Sequence, residues 1–182
     1  MEKKTLTPAK TIAKGKKLFS QKKYASAMEQ FLSAAQWYEQ EKDALMVAEM
    51  HNNLSVCHLM MGDATKALQE AKDTDRIFSQ GGDTKRQAMA LGNQAAAQEA
   101  LKHPGEALEL YRKSEILLKQ IGERELRSIV LKHISALQIK TGDKYQALAS
   151  MDAALNESPK PSPKEKVLKH MLDKIFTPSK HR

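Results

Sequence analysis

Apolar residues recur along the chain at spacings of three and four with few β-branched runs, a periodicity that predicts helices throughout. A longer period lies over the short one. Ala27, Ala67, Ala107 and Ala147 stand 40 residues apart, and each is followed by an apolar residue (Met28, Leu68, Leu108, Leu148). Four residues on come Phe31, Ala71, Tyr111 and Met151, and seven residues on come the small Ala34, Thr74, Ser114 and Ala154. Twelve residues before each alanine stands another small residue, Gly15, Ser55, Ala95 or Ser135. Small residues at matching places on successive helices are what close helix packing demands, because a large side chain would push the axes apart.

Turn chemistry divides each period into two helices. Asp43 and Asp83 are placed to cap helices running to about Met61 and Leu101. Gly62 and Gly142 fall just past a helix end, where a positive φ costs little, and Asp63 and Asp143 cap the helix that follows. Pro104 does the equivalent job in the third period by sitting in a first helical turn. The expected organisation is a flexible N-terminus at 1–7 and four helical hairpins over 8–157, at about 8–43, 44–83, 84–123 and 124–157.

The segment after "NESPKPSP" is different material. Its prolines and serines make 158–161 a linker, and Ser162 with Glu165 forms a capping-box pattern with Pro163 at the first helical position. The helix so opened, 162–176, places Val167, Leu168, Met171, Leu172, Ile175 and Phe176 on one face. A repeat stack leaves its last apolar face uncovered, so a capping role is the simplest one; a helix seeking a partner or a membrane surface is the alternative. Residues 177–182 read as a flexible basic tail.

The string "NNLSVCHLMMGDATKALQEA", with its small residue, Gly-Asp turn and alanine, resembles a tetratricopeptide repeat. The longer period is similar to the long-helix variants found in Leu-Gly-Asn repeat scaffolds and kinesin light chains. The resemblance implies an all-α, right-handed α-hairpin superhelix of four repeats with a C-terminal capping helix. It also implies a concave groove, lined by the first helix of each repeat, that holds a peptide or helical segment of a protein partner. The positions that the resemblance places in that groove include Lys16, Phe19, Asn52, Asn53, Val56, Met60, Asn93, Glu99, Lys132, His133 and Lys140. Asn53 and Asn93 share one register position, and an asparagine amide pairs with both the N–H and the C=O of a peptide backbone. The alternative for both is a hydrogen bond to a neighbouring helix. Co-chaperone members grip a terminal carboxylate through five set positions, occupied here by Ile12, Lys16, Asn53, Met89 and Asn93. Only Asn53 matches, so that mode is disfavoured.

Charge adds one qualification. The net charge of +8 resides in the ends, with +7 in residues 1–24 and +5 in residues 158–182, against −4 between them. Solvation explains terminal lysines; the rival reading is an adaptor that meets nucleic acid or an anionic membrane through them. Only Phe19 and Tyr24 interleave with the N-terminal lysines, a thin supply for base stacking. Catalytic, cofactor and metal motifs are not found: glycine-rich phosphate loops are lacking, and no two of the six histidines stand four apart. His51, His58 and the single Cys57 fall in the packing register and read as interior residues. With one thiol, no apolar stretch long enough to span a membrane and no secretory leader, the expected location is cytoplasmic and the expected role non-enzymatic.

Overall fold

The computed structural model describes residues 7–176, so the expected terminal segments, apart from Thr7, lie outside the described residues. Those residues are all-α, with no strand, and hold ten helices. They are α1 Pro8–Ser20, α2 Tyr24–Gln40, α3 Ala44–Met60, α4 Ala64–Ala71, α5 Thr74–Gln80, α6 Thr84–Ala100, α7 Pro104–Gln120, α8 Arg124–Lys140, α9 Lys144–Glu157 and α10 Pro163–Phe176. By packing, the chain divides into two compact units, Met1–Ala107 and Leu108–Arg182.

The repeat is finer than the alanine spacing shows. Helices α2, α3, α6, α7 and α8 are each 17 residues long, and one three-residue turn separates each from the next helix. The middle residue of every such turn is left-handed, at Lys22, Lys42, Gly62, Gly82, Lys102, Gly122 and Gly142, with φ between 58° and 88°. The same two hydrogen bonds close each turn. At the fourth, Gly82 N–H donates to Ser79 O and Asp83 N–H to Phe78 O; at the sixth, Gly122 donates to Lys119 O and Glu123 to Leu118 O. This is the Schellman arrangement, which satisfies the last carbonyls of one helix. The residue that completes it then opens the next helix. Asp43, Asp63, Asp83 and Asp143 accept from the N–H groups of Met46, Lys66, Arg86 and Gln146.

Within the first unit, Ala27, Phe31, Ala34 and Ala35 of α2 pack with Ile12 of α1 and with Met50, Leu54 and Cys57 of α3. The small residues of the register sit at the tightest approaches. A Cβ on Gly15 would lie 2.7 Å from the Phe31 ring, while Ser55 donates to the carbonyl of Ala67 at 2.7 Å. The second unit repeats that last contact, with Ser135 donating to Ala147 O at 2.8 Å. Burial pushes the Cys57 thiol up to about 11, so its sulfur behaves as a small apolar group.

One helix departs from the pattern. Where the register places a continuous helix, Lys72 turns to ψ 134° and Asp73 to φ 61°, separating α4 from α5. The sequence "AKDTD" favours the break, because Asp tolerates the left-handed region and Asp and Thr offer the backbone alternative partners. The Ala71 carbonyl freed by it accepts from Thr74 Oγ1 at 2.7 Å and from Gln94 Nε2 of α6 at 2.9 Å.

In the second unit, α9 lies along α8, and α10 lies against α9. Arg127 of α8 pairs with Glu115 of α7 at 2.6 Å and with Glu157 of α9. The sequence pattern puts six apolar residues on one face of α10, and the structure buries one of them, Leu172. Ion pairs complete the attachment: Lys132 of α8 donates to Glu165, and Lys169 donates to Asp152 of α9 at 2.8 Å. The Lys132 ammonium and the Ser162 N–H hold the Glu165 carboxyl down at about 2. Ser162 N–H donates to Glu165 and Glu165 N–H donates to Ser162 Oγ, the reciprocal capping box that the sequence predicts.

Two predictions follow from these contacts. Nothing lies within 4 Å of a Cβ added at Gly62, Gly82, Gly122 or Gly142, so any cost of a side chain at that turn position is backbone strain. Replacing Lys22, Lys42 and Lys102 with glycine should therefore raise stability by roughly 0.5–1 kcal/mol each, and Gly82→Ala should lower it by a similar amount. Urea midpoints measure both, and no gain from the three lysine changes would contradict the strain. For Glu165, the folded pKa is depressed, so its contribution is complete above the ordinary carboxylate value of 4.5 and is lost as pH falls towards about 2. Thermal melting of Glu165→Gln against the parent should show a lower melting temperature at neutral pH and a gap that closes across that window.

Candidate functional site

A cavity of about 420 Å³ opens on the first unit, bounded by α1, α3, α5 and α6. Its apolar wall is Val56, Phe78 and Met89; its polar wall is Asn52, Asn53, Asn93, Glu49, Lys16, Lys85 and Arg86. The structure thus brings together five residues singled out in the sequence, Lys16, Asn52, Asn53, Val56 and Asn93.

Local structure positions each side chain. Arg86 is held from three directions: its Nε lies 2.9 Å from Asp83, the residue that caps α6, and its Nη1 lies 3.3 Å from Glu49 of α3. Its guanidinium carbon also sits 5.7 Å from the centre of the Phe78 ring, a cation–π contact. Glu49 is shared, since Lys16 of α1 approaches it at 3.4 Å. Glu49 and Asp83 thus neutralise much of the charge that Arg86 and Lys16 bring to the cavity.

The three asparagines do different work. Asn52 is buried, and its Oδ1 accepts from Thr74 Oγ1 at 3.2 Å and from Asn93 Nδ2 at 3.4 Å. It ties α3 to α5 and α6 across the helix break. Asn93, which also lines the cavity, is engaged through that contact. Asn53 is not: its Nδ2 is buried without an acceptor. Arg86 Nη1 is in the same condition, because its approach to Glu49 lacks hydrogen-bond alignment. Two donors beside the cavity thus lack an aligned acceptor, which a protein interior rarely tolerates.

The other sequence candidates lie elsewhere. Phe19 packs on Tyr24, ring centres 5.3 Å apart, beside the core of the first unit. Met60 is exposed at the end of α3, and Glu99 is half-buried near the end of α6. In the second unit Lys132 pairs with Glu165, His133 stacks on Tyr111 at 5.1 Å, and Lys140 is exposed at the end of α8. His51 Nδ1 lies 2.7 Å from Glu70, and His58 is buried. Among the described residues no group of three histidine, cysteine or acidic side chains is arranged to hold a metal, and no helix is long and apolar enough to cross a membrane.

Sequence reasoning missed Glu49, Phe78, Lys85 and Arg86. The signal for two of them was within reach: stepping back one turn from Asn53 gives Glu49 on the same face of α3, and two turns back from Asn93 gives Arg86 on the same face of α6. Phe78, on α5, faces the cavity from the second helix of its hairpin, and the groove positions were sought on the first.

Fold and site together define an all-α helical-repeat protein. Among solved structures it is similar to BtubC (BKLC) from P. vanneervenii, at 13% sequence identity and a TM-score of 0.61, over 92% of this chain and 80% of that chain. At that identity the likeness concerns the fold alone. No protein-family model matches the chain, and no curated protein matches it in sequence.

Proposed function

We propose that the chain is a tetratricopeptide-type scaffold without enzymatic activity, and that it binds a peptide or helical segment of a protein partner in the cavity of its first unit. The observation that carries this reading is the pair of donors without an aligned acceptor, Asn53 Nδ2 and Arg86 Nη1, beside an apolar wall. A small rotation of either side chain would let it meet a carbonyl or carboxylate oxygen of a bound segment, while Val56, Phe78 and Met89 would receive an apolar side chain. Four repeats, at about 8–43, 44–83, 84–123 and 124–157, form the scaffold in this reading, and the resemblance to long-helix repeats supports it. In this reading Asn52 and Asn93, joined to each other across α3 and α6, line the same cavity beside Asn53.

Selection of binders from a random peptide library with the full chain, followed by titration against variants, tests the site. Asn53→Ala removes a donor that is unsatisfied in the free protein, so its melting temperature should stay within the change expected of a neutral substitution. Met89→Glu places a charge at an exposed wall position and should likewise fold. Each should weaken the selected peptides about tenfold, the loss of one buried hydrogen bond or one apolar contact. Peptides that bind both variants as tightly as the parent would move the binding site away from this cavity.

A further inference from the structure

Helix α10 presents apolar side chains to solvent that its contact with the body does not use. Val167, Met171 and Ile175, one turn apart, are 63%, 57% and 61% exposed, and Leu168 and Phe176 are exposed beside them; Leu172 alone turns inward, at 2%. The charges divide in the same way. Both acids of the helix are occupied, Glu165 by Lys132 and Asp173 by Lys169 at 2.5 Å. Among the described residues Lys164, Lys166 and Lys174 pair with no acid, and all three are exposed. By helical spacing Lys164 lies in line with Met171 and Ile175, and Lys174 lies three residues from Met171, so lysines flank the apolar ridge.

The occupant of such a surface must accept an apolar ridge and positive charge together. Duplex nucleic acid would use the lysines and leave the ridge in water. A second copy of the helix would bring unpaired lysines against lysines. A partner helix would have to offer both a matching apolar groove and acids placed opposite the lysines. A bilayer rich in anionic lipid needs no groove: apolar side chains enter the boundary between headgroups and acyl chains, and flanking lysines meet the headgroup charge. We propose that α10 is a peripheral contact for anionic lipid surfaces, distinct from the cavity of the first unit. The helix lies in the membrane plane, and three short apolar side chains make the attachment reversible and dependent on lipid charge.

Co-sedimentation of the full chain with vesicles tests this, comparing pure phosphatidylcholine with phosphatidylcholine containing about a third phosphatidylserine. The expected result is binding at least about tenfold tighter to the anionic vesicles, weakening as salt rises above about 0.15 M. Met171→Ser with Ile175→Ser keeps the net charge and alters only exposed positions; it should lose about tenfold in vesicle binding with circular dichroism and melting unchanged. Lys166→Ser with Lys174→Ser should lose a similar factor and flatten the salt dependence. Absence of vesicle binding, indifference to lipid charge, or an unaffected Met171/Ile175 variant would each overturn the proposal. So would duplex DNA binding as tight as that to anionic vesicles and insensitive to the serine pair, or capture of an acidic amphipathic peptide without vesicle binding.

Discussion

The left-handed residue in the middle of each turn is the constraint on which the rest of the structure depends. A 17-residue helix leaves its last carbonyls unpaired, and the turn pairs them within three residues. A turn that short sends the next helix back beside its predecessor, so the small residues meet. Ser55 reaches the carbonyl of Ala67, and Ser135 that of Ala147, only because the turn between them holds this geometry. The packing of each unit follows from a backbone event recurring every twenty residues.

Much of this was legible in the sequence, and the illegible parts have physical causes. The alanine and small-residue register exposed the longer period because those positions tolerate little variation in volume. The shorter period was obscured because lysine occupies three of the seven left-handed positions, where a sequence reader expects glycine. The break between α4 and α5 was less legible still. Local preference for it resides in Asp73 and Thr74, but its stability comes from Gln94 of α6, which supplies a donor to the freed Ala71 carbonyl from 23 residues away.

The site, too, could be read only in part. Lys16, Asn53 and Val56 lie on regular helices, where periodicity forecasts direction, and the cavity contains them. Phe78 joins them from α5. Asn53 and Asn93 are repeat equivalents, yet Asn52, one residue off their register and itself held by Thr74, engages Asn93 and not Asn53. Residues of one type in one register thus acquire different roles, according to whether a neighbour outside the register offers a hydrogen bond.

The basic ends and the acidic body are reconciled most visibly at α10. Ordinary burial attaches a helix through a broad apolar face, but here one leucine is buried while ion pairs from α8 and α9 hold the flank. Ion pairs that stay half open to solvent are weak and depend on salt, so the helix is fixed in orientation more than it is stabilised. Orientation is what the remaining side chains require. With Glu165, Lys169 and Leu172 committed to the body, the ridge and its unpaired lysines face outward as a consequence of the same contacts that hold the helix in place.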